Sequence, residues 1–179
     1  RRLLAYSARS NLKRVYLELG GKSPNIVFAD AQDLEQAARV SAMGIFRNSG
    51  QVCVAGSRLL VERSIHDAFV SRIAEVAAKL KVGDPLDLST DVGAVSSAEQ
   101  LSKDLDHVAR AASEGAIRVT GGSRILQATG GYYMEPTVFS GVNETMALAQ
   151  EEVFGPVLGI IPFDDEAEAI RIANSTVYG

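Results

Sequence analysis

The chain has 179 residues, of which 46% are hydrophobic and 22% charged, the balance of an ordinary globular chain able to bury a real core. Its formal net charge of −4 and acidic pI near 5.2 argue against a surface built for the phosphates of DNA or RNA. The longest nearly apolar run, Phe154 to Phe163, is broken by glycine and two prolines and falls short of the roughly 18 residues a membrane span needs.

A single cysteine, Cys53, excludes an internal disulfide and a multi-cysteine zinc site. The two histidines, His66 and His107, lie far apart with no second histidine at helical spacing, so no metal is expected. The chain opens Arg1-Arg2-Leu3 and stops at Tyr178-Gly179 after a helix-like run. Both ends read as cuts through a longer protein, whose expected compartment is the cytoplasm.

Strand-like and helix-like segments alternate along the chain. Val15 to Leu19 and Asn25 to Phe28 read as strands separated by Gly20-Gly21. Asp33 then caps a helix, with Gln36 as capping partner and Leu34, Ala37, Ala38, Ser41 and Ile45 facing inward. Arg58 to Glu62 reads as a buried strand. Ser64 caps the next helix, which buries Ile65, Phe69, Ile73, Val76 and Leu80 and ends at Gly83. After an Asp-rich loop to Gly93, Ser97 opens a third helix with Leu101, Leu105, Val108 and Ala112 inward and Gly115 at its end. Strands follow at Ile117 to Thr120, Thr137 to Phe139 and Val157 to Ile161, and Asp165 caps a last helix carrying Ile170 and Ala173. This rhythm predicts an α/β fold with a mostly parallel sheet flanked by helices, in one domain.

Four segments bear on the chemistry. Gly21-Lys22-Ser23 mimics the tail of a phosphate-binding loop, but Tyr16 stands where the first glycine belongs and Pro24 disfavours a helix immediately after. No G-x-G-x-x-G occurs, so no complete dinucleotide-binding unit is visible. Cys53 lies in the polar, Gly-flanked segment Asn48 to Ser57, between a helix end and a strand. It reads either as a small buried residue or as a nucleophile beside free backbone amides. Glu18 interrupts the apolar run Leu17-Glu18-Leu19. It is either the wet face of a strand or a partly buried carboxylate serving as a base near neutral pH. The pair Glu151-Glu152 before Val153-Phe154-Gly155-Pro156 is equally ambiguous by itself.

Taken together, Leu17-Glu18-Leu19-Gly20-Gly21-Lys22-Ser23-Pro24, then Gly50-Gln51-Val52-Cys53, then Glu151-Glu152-Val153-Phe154-Gly155-Pro156 resembles the NAD(P)-dependent aldehyde dehydrogenase superfamily. Ser23 to Asp30, Gly83-Asp84-Pro85 and Glu135-Pro136-Thr137 support the likeness, which runs over essentially the whole chain. Asn11-Leu12-Lys13-Arg14-Val15 and Arg58-Leu59-Leu60-Val61 look like the bacterial branch acting on γ-glutamyl-aminobutyraldehyde and related amino-aldehydes.

The resemblance implies that residues 1–179 are the thiol-bearing catalytic domain, truncated at both ends, with 1–19 the tail of the preceding cofactor-binding domain. It implies Cys53 as the nucleophile, passing through a thiohemiacetal and a thioester, and Glu18 as the general base. Glu152 would hold the nicotinamide ribose of NAD or NADP, Phe154 would pack near it, and Gly20 would let the cofactor approach the backbone. The family's Gly-rich cofactor turn, its adenosine-ribose lysine, its oxyanion asparagine and its C-terminal oligomerisation arm have no counterpart in these residues. The parent is thus expected to be a homo-oligomer acting on a small aldehyde, and the piece alone to be inactive. The competing expectations are a non-catalytic fragment or pseudo-enzyme, which would be free to lose Cys53 or Glu18, and a cofactor-free cysteine hydrolase, which both histidines disfavour by sitting in helical patterns.

Overall fold

A computed structural model describes residues 1–178; Gly179 lies outside the described residues. In chain order the elements are α1 (Arg2–Ala8), β1 (Pro24–Val27), α2 (Leu34–Phe46), β2 (Arg58–Glu62), α3 (His66–Lys79), α4 (Ala98–Ser113) and β3 (Ile117–Thr120). They continue with β4 (Arg124–Ile125), β5 (Tyr133–Met134), β6 (Thr137–Ser140), α5 (Ala147–Gln150), β7 (Val157–Phe163) and α6 (Glu166–Ala173).

The strands of the main sheet lie in the order β1-β2-β7-β6-β3. The first four run parallel, with Leu59 opposite Ile160 and Val138 opposite Leu158. β3 closes the edge antiparallel to β6, with an irregularity between Arg118 and Thr120. β4 and β5 form a separate two-stranded ribbon.

The period-2 alternation of the strands sorts two cores to opposite faces. Leu59, Val61, Val138, Leu158 and Ile160 pack against α2 and α3 through Ala42, Ile45, Phe46, Phe69 and Ile73. Leu60, Phe139, Val157, Ile161 and Phe163 pack on the other side against Leu101, Val108, Ala111, Leu148 and Ile172 of α4, α5 and α6. The expected α/β architecture, a mostly parallel sheet between helices, is what the chain adopts.

Helix starts follow the side chains that satisfy the first free N–H groups. Asp33, Ser97 and Asp165 each accept a hydrogen bond from the backbone N–H three residues on. Ser64 does not cap α3: its hydroxyl donates to Glu62 Oε1 at 2.7 Å, and a short 3-10 turn over Arg63–Ile65 leads into the helix. α3 ends at Lys79 rather than Gly83, because the chain leaves into a bridge between Val82 and Val92. On α4 the inward small residue is Ala111, and Ala112 is exposed.

Val15–Leu19 is not a strand: the segment is largely exposed and pairs with no strand among the described residues, so its β-type residues have no ladder to join. α1 buries none of its residues. No helix among the described residues is long and apolar enough to cross a membrane.

Arg58, at the start of β2, is buried and ties three segments together. Its Nε donates to the Lys22 carbonyl at 2.8 Å, and its two terminal nitrogens donate to the carbonyls of Ile172 and Ala173, each at 2.8 Å. It thereby satisfies carbonyls at the C-terminal end of α6 and fixes the approach to β1.

Candidate active site

The Cys53 loop starts with three consecutive left-handed residues, Asn48, Ser49 and Gly50, at φ 53°, 55° and 73°. Two of these are not glycine, a conformation held only where surrounding bonds determine it. Those bonds are present. Ser49 Oγ donates to the Gly93 carbonyl at 2.8 Å, Asn48 Nδ2 to the Gln51 carbonyl at 2.9 Å, and the Ser96 N–H to Gln51 Oε1 at 2.9 Å. The Ala55 N–H then closes a turn onto the Val52 carbonyl at 3.0 Å, with Cys53 exposed at its tip. The N–H groups of Cys53 and Val54 enter no backbone–backbone hydrogen bond among the described residues.

Gly20 and Gly21 cross directly over this tip. A Cβ on Gly21 would strike the Cys53 carbonyl, and one on Gly20 would strike the Glu152 carboxylate. The Gly21 N–H donates to Glu152 Oε1 at 2.9 Å, so the carboxylate is clasped by the double glycine. On the far wall Phe154 is left-handed at φ 61° and partly exposed. Gly50 must be glycine twice over: its φ is positive, and a Cβ would collide with the Gly155 carbonyl.

All five residues singled out in the sequence, Cys53, Glu18, Gly20, Glu152 and Phe154, line one open cleft of about 540 Å³. Glu18 reaches it from an irregular, exposed segment rather than from a strand, and it is not partly buried in this chain. The cleft thus presents an exposed thiol and two carboxylates on a floor stripped of side chains by glycine. That combination suits nucleophilic attack on an electrophilic carbon with an acid–base group alongside.

Sequence reasoning passed over two buried charges near this cleft. Lys22 is 2% exposed, and its Nζ has no hydrogen-bond partner among the described residues. Burial and the nearby Arg58 cation bring its pKa down to about 7, against the opposing pull of Glu152 and Glu151. Asp104 of α4 is fully buried, and burial pushes its carboxyl up to about 6 despite a hydrogen bond from Gln100. The signal for Asp104 was an acid on the apolar stripe between Leu101 and Val108; for Lys22 there was only its place in a phosphate-loop look-alike.

The family model of the aldehyde dehydrogenase family matches residues 1–179. The chain belongs to the aldehyde dehydrogenase family. An aldehyde dehydrogenase of Emericella nidulans is 50% identical over 179 residues, which are all of this chain and 35% of that protein. The crystal structure of an indole-3-acetaldehyde dehydrogenase in complex with NAD+ superposes with a TM-score of 0.96 at 54% identity, covering 99% of this chain and 36% of that one. A γ-glutamyl-γ-aminobutyraldehyde dehydrogenase from Burkholderia cenocepacia superposes with a TM-score of 0.94 at 49% identity, covering 99% and 36%. The amino-aldehyde branch is therefore matched, but not set apart from other aldehyde dehydrogenases. The chain spans about a third of the length of these relatives.

Proposed function

We propose that the longer protein carrying this chain oxidises an aldehyde to a carboxylic acid with NAD or NADP, using Cys53 as nucleophile and Glu18 as general base. The observation that carries this reading is the convergence of Cys53, Glu18 and Glu152 on one cleft, from segments far apart in sequence.

Cys53 at the tip of its turn is exposed and can reach a substrate in the cleft. Glu18 takes up the thiol proton, the thiolate bonds to the aldehyde carbon, and the carbonyl π pair moves to oxygen to give a thiohemiacetal anion; the proton leaves Glu18 to solvent before the second step. The Cys53 and Val54 amides, which enter no backbone–backbone hydrogen bond among the described residues, are the donors next to the thiol that would stabilise that oxygen. The nicotinamide, when bound, supplies the hydride acceptor. Loss of hydride from the same carbon leaves a thioester on Cys53. Glu18, on the cleft wall, takes a proton from the water that attacks the thioester; the C–S bond breaks and Cys53 is released.

The residues present suit the cofactor. Gly20 leaves room for the Glu152 carboxylate beside the backbone, and that carboxylate spends only part of its acceptor capacity on Gly21. Glu152 would accept from the ribose hydroxyls, and the exposed Phe154 ring would pack beside them.

Residues 1–19 belong with the preceding cofactor-binding domain in this reading, supported by the absence of any buried residue in α1 and by the unpaired Val15–Leu19 segment. The 179-residue chain alone is inactive, because the cofactor partners expected upstream are not among its residues, and the parent is a homo-oligomer. The test is NADH formation from a panel of aldehydes by the full-length protein. Cys53→Ser should abolish it while NAD binding persists; turnover by the Ser variant would overturn the assignment.

A further inference from the structure

α4 buries a carboxyl group that the chemistry above does not use. Asp104 Oδ1 accepts a hydrogen bond from Gln100 Nε2 at 2.7 Å, and the same amide nitrogen donates to the Val153 carbonyl at 2.9 Å. Asp104 Oδ2 has no partner among the described residues. The carboxyl lies so close beneath Gly155 that a Cβ there would collide with its carbon and both oxygens. Above the turn, the Gly155 carbonyl and the Pro156 nitrogen rest on Gly50, again with no room for a Cβ. The turn that follows Glu152 and carries Phe154 is therefore wedged between Asp104 and the base of the Cys53 loop.

We propose that Asp104 is a positioning residue whose carboxyl group, held by Gln100 beneath Gly155, seats the turn bearing Glu152 and Phe154 and so sets the grip of the cleft on its cofactor. The cofactor part rests on the reading of Glu152 given above; the seating of the turn does not.

Burial raises the Asp104 pKa to about 6. Lys103 pairs with Glu99 at the surface, Glu151 pairs with Arg110, and Glu152 is bonded to Gly21. His107 Nδ1 and Lys22 Nζ are buried without hydrogen-bond partners among the described residues, and burial favours the neutral form of both. Below pH 6 a neutral carboxyl lies flush under Gly155. Above it, a charged oxygen without a partner draws water beneath the turn and loosens it.

The test is hydrogen exchange of the peptide 150–157 in the full-length protein, corrected for intrinsic rates, alongside NAD affinity by titration. Between about pH 5.5 and 7.5, peptide exchange should rise several-fold and the NAD dissociation constant about three- to ten-fold. Asp104→Asn keeps the acceptor for Gln100 without the charge and should remove the step in peptide exchange, leaving in NAD affinity only what Lys22, which also titrates near pH 7, contributes through Glu152. Asp104→Leu offers Gln100 nothing and should leave the turn fast-exchanging and NAD weakly held at both pH values. A pH step in peptide exchange that survives in the Asn variant, or Asn and Leu variants that behave alike, would overturn the proposal. If the peptide responds as stated but Glu152→Gln binds NAD like the wild type, the cofactor role of Glu152 fails and the seating of the turn stands.

Discussion

Gly21 and Glu152, separated by 131 residues, are joined by a hydrogen bond of 2.9 Å from the Gly21 N–H to Glu152 Oε1. This bond links the segment that carries Glu18 to the turn that carries Phe154, and it closes the floor of the cleft around Cys53. A carboxylate receiving an N–H in this way is held in place before any ligand arrives. The arrangement depends on what is missing at Gly20, where a methyl group would occupy the space of the Glu152 carboxylate.

Gly20→Ala should therefore displace Glu152 with little effect on the sheet beneath. In the full-length protein the expected result is a rise of at least about tenfold in the dissociation constant of NADH, the cost of about one charge-assisted hydrogen bond. Thermal stability should change little, because Gly20 lies in an exposed segment outside both cores. Titration of NADH fluorescence measures the first effect and a melting curve the second. An Ala variant that binds NADH normally would show that Glu152 has no part in holding the cofactor.

Cys53 is the only cysteine of these 179 residues and is exposed, so labelling followed at the peptide that carries it reads the cleft directly. Iodoacetamide should label the folded full-length protein at Cys53, and Cys53→Ser should abolish labelling at that position. A non-reacting aldehyde analogue should slow the labelling about five-fold or more by occupying the space above the thiol. Unaltered labelling with the cleft occupied would place the substrate elsewhere.

If Glu18 activates the deacylating water, Glu18→Gln should slow thioester hydrolysis more than acylation. General-base assistance is worth about 10²–10⁴-fold, so steady-state turnover should fall by that order. Rapid-mix kinetics should show an NADH burst close to one equivalent, followed by slow release. Hydroxylamine, a nucleophile that does not need Glu18, should restore turnover. Loss of the burst would instead assign Glu18 chiefly to thiolate formation, and an unchanged steady state would return it to a solvated surface position. The exposure of Glu18 in this chain gives the carboxylate freedom to serve either step.

Much of the fold was readable because it is set locally. Asp33, Ser97 and Asp165 cap the helices they announce, since each needs only a backbone N–H three residues away. Ser64 failed as a cap because Glu62, two residues before it, captured its hydroxyl. Val15–Leu19 failed as a strand because pairing depends on a partner that local pattern does not reveal. The ribbon of β4 and β5 escaped notice because strands of two residues carry no alternation. At the site, the residue types were legible but their meeting was not. The approaches of Gly50 to Gly155 and of Gly21 to Glu152 each join segments about a hundred residues or more apart, and only the folded sheet brings them together.

Lys22 supplies the last test, through the pH dependence of stability. Its pKa of about 7 in the folded chain lies below the ordinary lysine value of 10.5, chiefly because burial disfavours the ammonium ion. Between those two values the unfolded chain holds more protons than the folded one, so this group makes stability rise with pH across that window. Below pH 7 both states carry the charge and the penalty is complete; above about 10.5 neither does and it vanishes. Several kcal/mol are at stake, since each pH step of one across that window changes the stability by up to about 1.4 kcal/mol. Lys22→Met keeps the apolar stem and discards the charge, so it should raise the unfolding midpoint near pH 6.5 by several degrees. The advantage should shrink steadily as the pH is raised toward 10. Denaturant unfolding at a series of pH values, with a melting curve at pH 6.5, measures both. A Met variant less stable than the wild type at pH 6.5 would mean that the attraction of Glu151 and Glu152 for the ammonium outweighs the cost of burying it.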